Sequence, residues 1–346
     1  MSSSKVAVVT GTNSNLGLNI VYRLIERSEP EDNLTIVVTS RTLPRVRECI
    51  DLIKAFVNTI NRTGSVDYDY LLVDFTNMIS ILDAHYSLSK RYDHINYFFV
   101  NAAQGVYSGI DWLGAVKEVF SSPLEAVTNP TYKIQRVGVK SKDGMGLVFQ
   151  ANVFGPYYLI QKLLPLLQAG QGTVVWVSSI MSAPKYLSLQ DIQLLESDVS
   201  YEGSKRLVDL LHSATYKEMK KLGIRQYLTH PGIFTSLSFF QYLNVFTYYG
   251  MLFLFYLARW IGSPWHNIQG YKAANAPVYV ATMANPHFEK EQMKYGSATF
   301  RDGLEYIKTD EVDTTGCEDV YKYISNLKLQ WDEKLKDQIK PTRIPL

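Results

Sequence analysis

Residues 5–28 read "KVAVVTGTNSNLGLNIVYRLIERS". Val6 to Val9 form an unbroken apolar run of strand length, and from Leu16 onward apolar side chains recur at helical spacing. Between them stands "TGTNSNLG", Thr10 to Gly17. A glycine-bearing turn that leads from a strand into a helix brings backbone N–H groups close to a phosphate, and the helix N-terminus adds partial positive charge. Any tight strand-to-helix turn can hold two glycines. The position, in the first βα turn of the chain, is what gives the motif weight.

The same alternation continues outward. "LTIVVTS" (34–40), "YDYLLVD" (68–74), "INYFFVNA" (95–102), "GTVVWVSS" (172–179) and "IRQYLTHPG" (224–232) read as strands. Segments 43–60, 78–92, 146–169 and 201–222 carry apolar residues at helical spacing, and a charged helical tail is expected near 319–338. Nearly continuous apolar strands interleaved with helices predict an α/β fold, a doubly wound parallel sheet of Rossmann type covered on both faces. Residues 105–145 keep no steady period and are read as an insertion. We expect one domain over 1–346, a length that suits a large single core.

Composition narrows the function. The net charge of +2 argues against nucleic acid as a partner, since phosphate-backbone binders concentrate basic residues. Cys49 and Cys317 are the only cysteines, too few and too far apart for a disulfide framework or a zinc site. The six histidines are scattered without ligand spacing, so no metal is expected. The apolar run near the N-terminus is too short for a secretory signal.

Chemistry concentrates at the strand ends. "YEGSK" places Tyr201 and Lys205 four apart on one helical face. A lysine ammonium and the positive ring of a bound cofactor stabilise a phenolate and are together expected to draw the Tyr201 pKa down toward neutrality. Tyr201 then serves as a positioned general acid for a carbonyl oxygen. "VVWVSS" ends a strand with Ser178 and Ser179, either of which can hold that oxygen. Asn152 is a polar residue among apolar neighbours in "FQANVFGPYYL". The second strand ends in "VVTSRTLPR" with no acidic residue for a ribose 2′-OH. Ser40, Arg41 and Arg45 instead suit a 2′-phosphate, which favours NADPH over NADH.

In chain order these motifs resemble the short-chain dehydrogenase/reductase family from residue 5 to about 236. They are the TGxxxGxG turn, Asp74 in "LLVDF", Asn101 in "FFVNAAQG", Asn152, the serine pair, Tyr201 with Lys205, and "HPGIFTS". The resemblance implies a catalytic set of Asn152, Ser179, Tyr201 and Lys205. It implies cofactor contacts from Gly11, Asn13, Asn15, Leu16, Gly17, Ser40, Arg41, Asp74, Asn101, Tyr201, Lys205, Pro231, Gly232, Ile233, Phe234 and Ser236. There are two departures. Asn15 stands where the pattern has its middle glycine, and asparagine tolerates left-handed backbone best after glycine, so the turn is expected to survive. The separation of Ser179 from Tyr201 is longer than usual, and the extra residues are expected to loop out near the substrate mouth.

"FFQYLNVFTYYGMLFLFYLA", 239–258, has no charged side chain. Twenty helical residues measure about 30 Å, so a membrane span is length-compatible. A buried core helix is a second reading. A monotopic element is the third, with Gly250 and Asn244 allowing a bend and Arg259, Trp260, Trp265 and His266 at the interface. "SPLEAVTNPTYK", "SSIMSAPKYLSL" and "GSPWHNIQGYKAANAPVYV" are similar to a narrower group in the family, the fungal 3-ketosteroid reductases. That likeness implies NADPH-dependent reduction of a sterol ketone during C-4 demethylation in ergosterol synthesis. It implies other enzymes of that sequence as partners, and a site at the endoplasmic reticulum membrane or lipid droplets. The alternatives are a reductase of another lipid carbonyl, such as retinal, a C17 steroid or a 3-ketoacyl-CoA, and a non-catalytic NADPH-binding scaffold.

Overall fold

The computed structural model describes residues 4–235 and 245–338. Eight strands form the main sheet: β1 (Ser4–Val9), β2 (Asn33–Ser40), β3 (Val66–Leu72), β4 (Tyr97–Val100), β7 (Thr173–Val177), β8 (Arg225–His230), β11 (Lys294–Thr299) and β12 (Glu305–Asp310). Their spatial order is β12-β11-β8-β7-β4-β1-β2-β3. All neighbours are parallel except β11 and β12, which pair antiparallel. The chain winds outward through β2 and β3, then returns to β4 on the other side of β1. That reversal makes a topological switch point at the carboxyl ends of β1 and β4, where open α/β sheets bind ligands.

The strands are apolar on both sides because helices cover both. In β1, Val6 and Val8 join the core beneath α3 (Met78–Arg91), α7 (Gly155–Ala169), α8 (Ser200–Lys221) and α12 (Cys317–Leu335). Ala7 and Val9 join the opposite core beneath α1 (Asn15–Arg27), α2 (Leu43–Val57) and α11 (Asn275–Thr282). This is the two-residue side-chain period of a strand buried on both faces.

The insertion carries structure of its own. Strands β5 (Tyr107–Ile110) and β6 (Lys133–Gln135) pair antiparallel and flank α4 (Trp112–Ser121) and α5 (Pro123–Thr128). Its Val127 packs with Phe255 and Ala258 of α9 (Val245–Ile261) and with Ile268. The extra residues between Ser179 and Tyr201 form an irregular segment, exposed at Pro184, Lys185 and 188–190 but anchored at its far end. Ile192 and Leu194 enter the core, and Gln193 bonds the Gly146 amide and the Tyr323 hydroxyl.

The first part of the apolar stretch, through Asn244, lies outside the described residues. The rest is α9, which runs unbroken through Gly250. Only Phe255, Ala258 and Arg259 of α9 are buried, so it is not a core helix. Among the described residues no helix is long and apolar enough to cross a membrane. Arg259 and His266 do not mark an interface, while Trp260 is exposed and Trp265 half-buried. Arg259 is buried and donates to the carbonyls of His266 and Asn267, His266 is fully buried, and Trp265 packs on His230.

Candidate active site

Threonines bind the switch point together. Thr10 donates from its amide to the Phe99 carbonyl, and its Oγ1 accepts the amides of Asn101 and Ala102, both at 2.9 Å. Gly11 is left-handed at φ 66°, and a Cβ there would lie 3.0 Å from the Ala102 Cα. A Cβ on Gly17 would lie 2.3 Å from the Gly11 carbonyl oxygen, so both glycines are required by close backbone approach. Asn101 Nδ2 donates to the Thr10 carbonyl at 2.9 Å and bonds Ser14 Oγ at 3.2 Å. Ser14 caps α1 by accepting the Gly17 amide. The positive end of the helix therefore stands over the turn, beside half-buried Asn13. Leu16 is buried in the core, which leaves only its backbone for a ligand.

Asn15 is not left-handed. It is the first residue of α1, and its side chain reaches across the site, with Nδ2 donating to the Thr235 carbonyl at 2.7 Å. The departure from the glycine pattern thus serves a side-chain contact rather than a backbone conformation.

Ser40 is buried at the end of β2, while Arg41 and Arg45 are exposed at the start of α2. Asp74 follows β3 and uses one carboxylate oxygen to hold Thr76, through both its amide and its hydroxyl. Glycine turn, helix dipole and exposed guanidinium groups together suit an adenine dinucleotide with phosphate groups.

The sheet's other half brings the remaining residues in. The helix bearing Asn152 widens into a π turn (Gln150–Phe154), a distortion common at functional sites. Asn152 Oδ1 accepts the Gln104 amide at 2.7 Å, and Nδ2 donates to the Gln104 carbonyl and to Ser204 Oγ. Lys205 is fully buried and donates to the Val177 carbonyl at 2.9 Å, with its Nζ 5.6 Å from the centre of the Tyr201 ring. Burial, and then the nearby Lys294, lower the Lys205 pKa to about 8, against the pull of Asp209. For the protein alone burial, and then Glu202, push the Tyr201 pKa up, so the phenol is neutral. A neutral phenol is the form that donates a proton.

The two serines separate. Ser178 is buried, donates to Asp209 Oδ1 at 2.5 Å and accepts from Lys294. Ser179 is half-buried, and its hydroxyl accepts the Met181 amide at 3.1 Å, which leaves the hydroxyl proton for another acceptor.

The loop after β8 is strapped down. Pro231 and Gly232 lead into β9 (Ile233–Phe234), which pairs with β10 (His266–Ile268). Asn267 Nδ2 donates to the carbonyls of Pro231 and Ser297, both at 2.7 Å. Ile268 sits at φ 67°, a costly conformation for a β-branched residue, and its carbonyl takes both the amide and the hydroxyl of Thr235. Ser236 lies outside the described residues.

A match to the short chain dehydrogenase family covers residues 5–241. The chain belongs to the short-chain dehydrogenase family. The 3-keto-steroid reductase ERG27 of Saccharomyces cerevisiae is 70% identical over 344 residues, covering 99% of each chain. The 3-keto-steroid reductase of Candida glabrata is also 70% identical, over 99% of this chain and 98% of its own. The corresponding Schizosaccharomyces pombe protein is 32% identical over 97% and 99%. In fold, the chain resembles the NADPH-bound carbonyl reductase from chicken fatty liver, with a TM-score of 0.53, 16% identity, and coverage of 88% and 99%. It also resembles the L-sorbose reductase of Gluconobacter frateurii, with a TM-score of 0.55, 17% identity, and coverage of 82% and 91%. A dehydrogenase of this family uses a nicotinamide cofactor, and the switch point is where the fold places it.

Sequence reasoning missed Gln135. From the insertion, its Oε1 accepts the Tyr201 amide at 2.9 Å and the Ser200 hydroxyl, and its Nε2 donates to Glu202. The insertion therefore caps the helix that carries Tyr201. No local motif signals this, because the partners are far apart in sequence. Asn267 was signalled, by the "WHN" of a motif already singled out.

Proposed function

We propose that this short-chain dehydrogenase is a 3-ketosteroid reductase that uses NADPH to reduce the 3-keto group of 4-methylsterol intermediates to the 3β-alcohol. The observation that carries this reading is the 70% identity to curated 3-keto-steroid reductases along 99% of the chain, insertion and apolar segment included. When bound, the cofactor supplies hydride to the carbonyl carbon.

The chain's own residues supply the rest. Tyr201, kept neutral by burial and Glu202, donates a proton to the sterol oxygen. Ser179 orients that oxygen with the hydroxyl proton it does not spend on the protein. Lys205 holds positive charge against Tyr201 and is placed to contact the cofactor ribose. The Asn152 side chain is fully engaged with Gln104 and Ser204, so its role is to shape the site. Arg41 and Arg45 meet the 2′-phosphate that distinguishes NADPH. Exposed apolar residues of α9 rest in one leaflet and bring the site to a membrane-dissolved ketone. The endoplasmic reticulum and lipid droplets, and association with other C-4 demethylation enzymes, follow from the same reading.

The purified protein offered a 3-ketosterol or retinal separately is expected to oxidise NADPH with the sterol. Turnover of retinal alone would move the assignment to another lipid carbonyl.

A further inference from the structure

Behind the catalytic face lies a closed polar cluster. Lys294, the first residue of β11, is buried and places four acceptors around its ammonium group. Asp209 Oδ2, Ser182 Oγ and the Ser179 carbonyl lie at 2.7 Å, and Ser178 Oγ at 3.1 Å. Asp209 is equally buried, and its two oxygens also take Ser178 Oγ at 2.5 Å and Ser182 Oγ at 2.7 Å. Ser178 Oγ further approaches the Lys205 carbonyl at 3.4 Å. No atom of the cluster is left without a partner among the described residues.

The connectivity matters more than the charge. Lys294 grips the turn after β7 at Ser178, Ser179 and Ser182. Asp209 stands one helical turn beyond Lys205 on α8. One ammonium group from a third element thus ties the strand end carrying Ser179 to the helix carrying Tyr201 and Lys205. A buried ion pair is often no more stabilising than an apolar pair of similar volume, so stability alone does not account for it.

We propose that Lys294 is a positioning residue for ketone reduction: with Asp209 it forms a buried strut that fixes the Ser178–Ser182 turn against α8 and so sets the placement of Ser179 relative to Tyr201 and Lys205. This rests on the assignment of Ser179, Tyr201 and Lys205 to the reaction. The strut also acts on Lys205 electrostatically. The groups facing the cluster are Lys205, Arg206, Asp209 and His212 from α8, Lys294 from β11, His230 from β8 and Asp310 from β12. Lys294 lowers the Lys205 pKa and Asp209 raises it. Removing the Lys294 charge therefore moves the Lys205 titration upward, and the alkaline limb of the kcat profile with it.

The test compares Lys294→Met, Lys294→Arg and Lys294→Met/Asp209→Leu in the full-length, detergent-solubilised protein with NADPH and a 4-methyl-3-ketosterol. Lys294→Met is expected to lower kcat roughly ten- to a hundredfold, as misplacement of a reacting geometry by about 1 Å does. Its alkaline limb moves to higher pH, while the dissociation constant for NADPH is unchanged. Lys294→Arg recovers part of the loss. The double variant removes both charges, leaves no unpaired ion to unfold the protein, and is still expected to be slow. A folded double variant with parental kcat and pH profile overturns the proposal. Tyr201→Phe, measured alongside, separates the two failures. If Tyr201→Phe is inactive while Lys294→Met is parental, only the strut falls. If Tyr201→Phe turns over normally, the assignment of the site falls instead.

Discussion

Asn152 satisfies both hydrogen-bonding groups of a single residue: its side chain accepts the Gln104 amide at 2.7 Å and donates to the Gln104 carbonyl at 2.9 Å. That pairing holds the turn after β4 against the π turn, at the floor of the site. Asn152→Ala leaves both groups unpaired, at a cost of about 1–3 kcal/mol each. We expect a lower Tm and reduced turnover. Asn152→Asp should be worse than alanine, because it sets a carboxylate oxygen against the Gln104 carbonyl. Thermal unfolding and kcat check the order, and an aspartate variant matching the parent would contradict it.

If Arg41 meets the 2′-phosphate as proposed, its loss should act on one cofactor alone. Loss of a charge-assisted contact costs about 1.5–3 kcal/mol, so Arg41→Ala should raise the KM for NADPH roughly ten- to a hundredfold and leave that for NADH unchanged. Kinetics with each cofactor read this directly. Equal effects on both would remove Arg41 from the 2′-phosphate.

Acid should weaken the fold before the carboxylates titrate. His212 is fully buried, with Nε2 against the Glu291 carbonyl and Nδ1 against Gln226, and burial lowers its pKa from 6.5 to about 4. Burial lowers His266 from 6.5 to about 4 as well, and His230 in the same direction. The unfolded chain takes up these protons below 6.5 while the native state refuses them. The stability they contribute is therefore complete above 6.5 and lost as pH falls toward about 4. For His212 the loss is roughly 3 kcal/mol, and His266 adds to it in the same direction. Glu291, raised by burial, opposes this with a single carboxyl. Denaturant unfolding at several pH values between neutrality and 4.5 should show the decline, and a flat profile would contradict it.

The proposed membrane contact of α9 is testable, and α4 of the insertion is exposed in the same way. Phe246 is 87% exposed and Phe253 60%, while Leu113 and Phe120 on α4 are 87% and 85% exposed. Each large side chain buried in lipid contributes about 1.5–3 kcal/mol. Phe246→Asp/Phe253→Asp should therefore release the protein from phospholipid vesicles in a flotation assay and leave NADPH binding intact. Unchanged flotation would contradict the role of α9.

The sheet was legible because its period is strict: Val6 and Val8 against Ala7 and Val9 announce a strand buried on both faces, and the helices carry matching stripes. The site motifs were legible because they sit at strand ends in fixed order. What sequence did not convey is long-range hydrogen bonding. Asn15 reads as a glycine substitute but reaches Thr235, far along the chain. Ser178 and Ser179 are indistinguishable as letters, and only the Asp209–Lys294 cluster separates them. Arg259 and His266 look interfacial by type yet turn inward: Arg259 satisfies the buried carbonyls of His266 and Asn267, and the His266 ring bonds Ser263. The insertion has no period, since its two short helices are mostly exposed and bury little of a common face.

The most direct test of the central claim is single-turnover oxidation of NADPH by detergent-solubilised protein with a 4-methyl-3-ketosterol, for the parent and Tyr201→Phe. Removal of the positioned acid should slow the chemical step roughly 10²- to 10⁴-fold with NADPH still bound. A Tyr201→Phe protein that oxidises NADPH at the parental rate would contradict the account.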